Sequence, residues 1–243
     1  MDLTLRWPAA RVCGSFAAEE IHLWAWALDP IPQELTPHLK ILDHTELQRM
    51  RAFHFAEDRA RYMLTHANLR RILGAYLHRS PEHIHFAANR FGKPQLSGED
   101  ASCLQFSLSH SQTIAVLAVT PDEEIGVDVE DVRPIEPEVA AAHFSAAELS
   151  DLSRLHGDAW LGGFYRCWTR KEAILKAEGV GLHRALDGFD VSLLPDAPAE
   201  LLGARGDFLR PWKLHDVSPA PGTIGALATL QNRARLTCRS FLS

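Results

Sequence analysis

Three short stretches hold the side chains best suited to chemistry. The first is IGVDVEDVRP, residues 125–134. Ile125, Val127 and Val129 read as one face of a β-strand. Gly126, Asp128 and Glu130 then share the other, because side chains alternate along a strand. Two carboxylates on one face repel unless a cation lies between them, whether an arginine, solvent sodium or a bound metal. Magnesium suits such a pair, since it takes carboxylates and keeps water and phosphate oxygens in its other positions. A strand with a wet face also carries acids without any ion.

The second stretch is FYRCWTRKEAILKAEG, residues 164–179, where Trp168, Glu172 and Lys176 fall on one ridge of a helix at i, i+4 and i+8. Glu172 offers a third carboxylate, and Lys176 one turn on would meet a phosphate held by the same metal. As a plain surface ion pair, the two contribute only about 0.3–0.5 kcal/mol. The third stretch is FSLSHS, residues 106–111. Ser109 and His110 point to opposite faces of a strand end, so they make a poor nucleophile–base pair, and no GxSxG elbow occurs. His110 reads either as a turn histidine or as a phosphate contact. RFGKPQL (90–96) is a turn whose Lys93 is solvated unless phosphate lies near. HIH (83–85) has two zinc-type ligands and no evident third. SAAE (145–148) is a capping box that accounts for Glu148 by itself.

The elements that must position these groups are legible in outline. IHLWAWAL (21–28) reads as a strand, and residues 55–77 as a helix with Tyr62, Leu69, Leu73 and Tyr76 along one stripe. HIHF (83–86) reads as a strand. Residues 103–119 read as two strands joined by a turn at His110–Gln112. The carboxylate strand (124–130) is followed by helical patterns near 136–156 and 160–178, then strands at 187–194, 210–217 and 223–230. No strand–helix alternation, GxGxxG or Walker loop runs through the chain, so the expected class is α+β, in two similar lobes broken near TPDEE (120–124).

The 243 residues suffice for one large domain or two small ones. Hydrophobic residues make up 46% and charged residues 23%, an ordinary globular composition. No apolar run approaches the roughly 18 residues of a membrane span. The N-terminal residues lack the basic and apolar regions of a secretion signal. Cys13, Cys103, Cys167 and Cys238 lie far apart, as free thiols of a reducing, cytoplasmic compartment would. A net charge of −6 argues against a general nucleic-acid binder. Arg49 to Arg79 nevertheless holds seven arginines against Glu57 and Asp58, either a solvated helix face or a surface for a small anion or an acidic partner.

Taken in order, GKP, SHS, GVDVE, FSAAEL and WTRKEAILKAEGVGL resemble the 4′-phosphopantetheinyl transferases of the larger, Sfp type, from about Phe53 to Val191. The resemblance implies two α+β lobes related by a pseudo-twofold, here residues 1–122 (coenzyme A contacts) and 123–243 (magnesium site and catalytic helix). It implies transfer of the phosphopantetheine arm of coenzyme A to a serine of an apo acyl or peptidyl carrier protein, with release of adenosine 3′,5′-bisphosphate. By motif position, Asp128, Glu130 and Glu172 become magnesium ligands and Lys176 a pyrophosphate contact. Lys93, Ser109 and His110, with Arg61 and Arg49, become coenzyme contacts, and Glu148 matches a position with a suggested catalytic role. Glu46 departs from the pattern, standing where some members carry a basic residue. With both sides of the cleft supplied by one chain, a monomer is expected, with no membrane or nucleic-acid partner. Two other readings share these residues: a magnesium-dependent hydrolase of pyrophosphate-linked nucleotides, and a non-catalytic coenzyme-A-binding protein.

Overall fold

The computed structural model describes residues 7–10, 16–17, 19–29, 31–101, 103–121, 123–181, 184–205 and 210–241. In chain order the elements are β1 (Ala9–Ala10), β2 (Glu20–Ala27), α1 (Thr36–Leu39), α2 (His44–Ala52), α3 (Ala56–Leu77), β3 (Phe86–Ala88), β4 (Pro94–Leu96), β5 (Gln105–His110) and β6 (Ile114–Thr120). There follow β7 (Gly126–Asp131), α4 (Pro137–His143), α5 (Ala146–Leu152), α6 (Gly157–Glu178), β8 (Phe189–Val191), β9 (Leu201–Ala204), β10 (Lys213–Asp216), β11 (Thr223–Thr229) and β12 (Arg235–Phe241).

Alternation along the strands builds four layers. Trp24 and Trp26 of β2, with Ala115, Leu117 and Val119 of β6, pack on Leu69, Ile72 and Leu73 of α3. The intervening residues, Ile21, Leu23, Ala25, Ile114, Val116 and Ala118, face the other way and meet Val127, Val129 and Leu227 of the second sheet. Ala226 and Ala228 of β11 then face α6 through Ala173, Ile174 and Ala177. The order is helix, sheet, sheet, helix, and each half repeats one plan of a 22-residue helix on a sheet. The α+β class expected from sequence holds.

The first sheet has the order β1-β12-β2-β6-β5 and the second β10-β11-β7. β12 runs parallel to β2, with Arg235 opposite Glu20 and Ser240 opposite Ala25. The last strand of the chain therefore completes the first half's sheet, a pairing that the sequence pattern did not predict. Three other expectations are corrected. Residues 81–83 form a 3-10 turn and the strand begins only at Phe86. The helical pattern at 136–156 is two helices, because Ser145 stops and recaps the chain between them. Residues 187–194 yield only the three-residue strand β8. Cys13 lies outside the described residues, and Cys103, Cys167 and Cys238 are free thiols.

Candidate active site

β7 and α6 meet at very short range. A Cβ placed on Gly126 would lie 2.0 Å from the Ala173 carbonyl oxygen and 2.3 Å from the Ala177 nitrogen. Only glycine at 126, facing the small alanines at 173 and 177, lets helix and strand approach this closely. Asp128 and Glu130 follow Gly126 on the same face of the strand. Glu172 and Lys176 neighbour the two alanines on the helix. Local sequence thus brings three carboxylates and a lysine to one junction.

Lys176 Nζ donates to Asp128 Oδ1 at 2.6 Å and to Ser109 Oγ at 2.9 Å. The surface pair between Glu172 and Lys176 weighed from the sequence is therefore replaced by a helix-to-strand contact with the buried Asp128. Asp128 Oδ2 and Glu172 Oε1 are buried and have no hydrogen-bond partner. Burial, and then the Asp128 charge, push the Glu130 carboxyl up to about 7, and the same two causes raise that of Glu172. Among the described residues no three His, Cys, Asp or Glu side chains converge as a preformed metal cage, the HIH stretch included. The donor set at the junction still suits a hard divalent ion: hard carboxylate oxygens, two of them buried and orphaned.

Ser109 is buried while His110 is exposed, as strand alternation requires. The serines of FSLSHS also join the two halves. Ser107 Oγ accepts from Val127 N at 3.0 Å, and Ser109 Oγ accepts from Val129 N at 3.3 Å and donates to Asp128 Oδ1 at 2.9 Å. Edge strands β5 and β7 thus lie side by side, with hydroxyls standing in for the carbonyls of a ladder.

Two clefts flank the junction. One, of about 240 Å³, is lined by Phe53, Arg61, Tyr62, His110, Glu130 and Arg133, among others. The other, also about 240 Å³, is lined by Phe91, Lys93, Phe106, Leu108, Glu172 and Lys176, among others. Lys93 Nζ donates to the carbonyls of Ile125 (3.1 Å) and Ala177 (3.3 Å), and burial brings its ammonium down to about 8. Arg61 pairs with Asp58 at 3.2 Å. Arg49 is exposed in the last turn of α2 and acts electrostatically on Tyr62.

Much of the arginine-rich run serves the fold rather than a surface. Arg70 is fully buried and bonds Glu46 Oε2 (2.7 Å), Asp43 Oδ2 (2.6 Å) and the Ile84 carbonyl (2.7 Å). Arg71 reaches His38 and Asn68, and Arg79 reaches Glu99 and Asp100. Glu46 belongs to this network: it completes the α2 capping box with Asp43 and meets His66 Nδ1 at 2.9 Å. An acid at this position thus has a structural partner in Arg70.

Glu148 also has a structural occupation. Its Oε2 accepts from Ser145 N at 2.9 Å, and its Oε1 takes Val191 N at 2.9 Å and Lys171 Nζ at 2.8 Å. Both oxygens are engaged, and the residue is 2% exposed. A carboxylate held in this way ties α5 to α6 and β8, which accounts for its place without the suggested catalytic role. Sequence reasoning also missed Gly126, whose signal was the pairing of a strand glycine with alanines four apart on a helix.

Residues 124–230 match the family model described as the 4′-phosphopantetheinyl transferase superfamily, and residues 25–122 match that described as 4′-phosphopantetheinyl transferase, N-terminal. The 4′-phosphopantetheinyl transferase HetI of Nostoc sp. (strain PCC 7120) is 36% identical over 214 residues, 87% of this chain and 88% of the relative. The chain belongs to the 4′-phosphopantetheinyl transferase family. It is similar too to the 4′-phosphopantetheinyl transferase Sfp of Bacillus subtilis (strain 168), 30% identical over 71% of this chain and 76% of the relative. A more distant relative is the L-aminoadipate-semialdehyde dehydrogenase-phosphopantetheinyl transferase of Xenopus laevis, 31% identical over 62% of this chain and 53% of the relative. Both matched segments together mark the larger, Sfp-type transferase. In this transferase Asp128, Glu130, Glu172 and Lys176 fall in the second matched segment, and Lys93, Ser109 and His110 in the first. No helix among the described residues is long and apolar enough to cross a membrane.

Proposed function

We propose that this transferase moves the 4′-phosphopantetheine arm of coenzyme A to a serine hydroxyl of an apo acyl or peptidyl carrier protein, and releases adenosine 3′,5′-bisphosphate. In this reading magnesium is held by Asp128, Glu130 and Glu172. The observation that carries it is the junction itself: two orphaned, buried carboxylate oxygens, with a lysine ammonium 2.6 Å from one of the acids, between two clefts.

Phosphoryl transfer is mostly positioning and charge neutralisation. Magnesium held by Asp128, Glu130 and Glu172 would supply charge neutralisation to the pyrophosphate. The chain's own groups do the rest. Lys176, released from Asp128 and Ser109, donates to the pyrophosphate and stabilises the charge that grows there. His110 and Arg61, on the wall of one cleft, contact the coenzyme's phosphates, with Arg49 adding its field. Lys93 and Ser109 shape the coenzyme site through the β5–β7 and α6 contacts they hold. The proton of the attacking serine passes to a carboxylate of the junction, Glu172, or to water beside it.

The chain acts as a monomer, since residues of both halves line each cleft, and works in the cytoplasm, in keeping with its free thiols. The two lobes divide near residue 122, with β12 returning to the first. The test is incubation with coenzyme A and magnesium, with and without apo carriers of fatty-acid, polyketide and peptide type. Adenosine 3′,5′-bisphosphate is expected only when a carrier is present. Release without a carrier would favour a hydrolase, and no release with any carrier would overturn the transfer.

A further inference from the structure

Asp131 closes β7 one residue beyond Glu130 and lines the same cleft as His110. A carboxylate is an odd wall for a cleft that takes phosphates. Its contacts explain it. Asp131 Oδ2 accepts from Gln112 N at 2.9 Å and from Thr113 N at 3.1 Å, and Oδ1 accepts from Thr113 Oγ1. All three donors lie in the turn between β5 and β6, directly after His110. The turn belongs to the first half of the chain and Asp131 to the second.

The contact also continues a series. Ser107 meets Val127, Ser109 meets Val129, and the 112–113 turn meets Asp131. The first two hold the middle of β5 against β7. The third ties the end of β5 to the second half; the turn's other bonds, Ser111 N and Oγ to Ile114 O and Leu28 N to Thr113 O, all lie within the first half, as does the ladder pairing of His110 with Ala115.

We propose that Asp131 is a positioning residue for coenzyme A: it clamps the 111–113 turn so that His110 stands at a fixed place opposite Arg61 and Glu130. The inference rests on the functional reading above. It goes beyond that reading in assigning a role to a residue outside the ligand set, and it makes a prediction of unexpected sign. If Asp131 were only a negative charge beside an anion site, removing it would tighten binding of coenzyme A. If it is a clamp, removing it weakens binding, because the anion must order the turn at its own cost.

The test is calorimetric binding of coenzyme A to the wild-type protein, Asp131→Ala, Asp131→Asn and Thr113→Val, with steady-state kinetics on each. In Asp131→Ala the dissociation constant and the Michaelis constant for coenzyme A are expected to rise about tenfold, with kcat within about twofold. Asparagine can accept from both amides and donate to Thr113 Oγ1, so Asp131→Asn is expected within about threefold of wild type. Equal or tighter binding by Asp131→Ala overturns the clamp, as does an asparagine variant as weak as alanine. Thr113→Val removes one of the three bonds and keeps the reading testable should Asp131→Ala not fold. A rise of about threefold is expected there, and no change would overturn the clamp. A wild-type protein that binds no coenzyme A overturns the functional reading and this inference together, whereas wild-type binding with an unaffected Asp131→Ala overturns the clamp alone.

Discussion

Lys176→Ala is expected to lower the stability of the metal-free protein as well as turnover, and both losses have one origin. The ammonium lies 2.6 Å from Asp128 Oδ1 and 2.9 Å from Ser109 Oγ. The Asp128 side chain is 5% exposed and that of Lys176 29%. Removing one partner of a fully buried pair costs about 3–5 kcal/mol, because the remaining charge stays desolvated. An exposed pair is worth less than about 1 kcal/mol. With one partner buried and the other partly wet, the loss falls between these limits, at about 1–3 kcal/mol. Truncation leaves Asp128 Oδ1 with only the Ser109 hydroxyl, beside two further carboxylates. In a domain of this size each kcal/mol moves the melting temperature by about 2–4 °C. Thermal melts at neutral pH without metal would show the drop, and saturating magnesium would recover part of it by binding the folded state. On the same sample the Michaelis constant for coenzyme A should rise and kcat should fall. An unchanged melting temperature in metal-free buffer, with normal kinetics across a coenzyme A titration, would refute both the contact and the phosphate role.

Glu148→Ala breaks the buried pair with Lys171 and should destabilise the protein by about 3–5 kcal/mol. A normal denaturation midpoint with lost turnover would instead favour a catalytic role for Glu148. Gly126→Ala drives a methyl group into the Ala173 and Ala177 backbone and should cost about 1–3 kcal/mol or more, read as a lowered midpoint in denaturant; wild-type stability would mean that β7 and α6 do not approach as closely as described. Lys93 titrates near 8 in the folded protein and near 10.5 when unfolded, so between these values the unfolded chain binds more protons. Wild-type stability, measured against Lys93→Met by denaturant titration, should therefore rise with pH across that window, and a flat difference would refute the buried ammonium.

The chemistry was legible where it depended on local pattern. Strand alternation alone puts Asp128 with Glu130, and helical spacing alone puts Glu172 with Lys176. The long helix 55–77, the hairpin of β5 and β6, and β11 were legible from period and turn chemistry in the same way. What escaped is what depends on distant partners. β12 reads RLTCRSF, with arginines interrupting its apolar pattern, and its partner β2 lies some two hundred positions away. Lys176 looked like the partner of Glu172 because helical neighbours are visible in sequence and a strand packed beneath the helix is not. Arg70 looked like part of a solvated basic run, and Glu46 like a mere departure from the family pattern, for the same reason. The α2 capping box, by contrast, has a local signal in DHTE (43–46), of the same kind as SAAE before α5.

We propose that Asp128, Glu130 and Glu172 bind the magnesium that phosphopantetheine transfer requires. The most direct measurement is the intact mass of an apo carrier protein after incubation with coenzyme A, using wild-type protein and Asp128→Asn across a magnesium titration. Expected are the gain of one phosphopantetheine per carrier, its abolition by chelator, and for Asp128→Asn a magnesium requirement raised by more than about tenfold with the circular dichroism unchanged. Transfer undiminished by chelator, or Asp128→Asn working at the wild-type magnesium concentration, would contradict the claim.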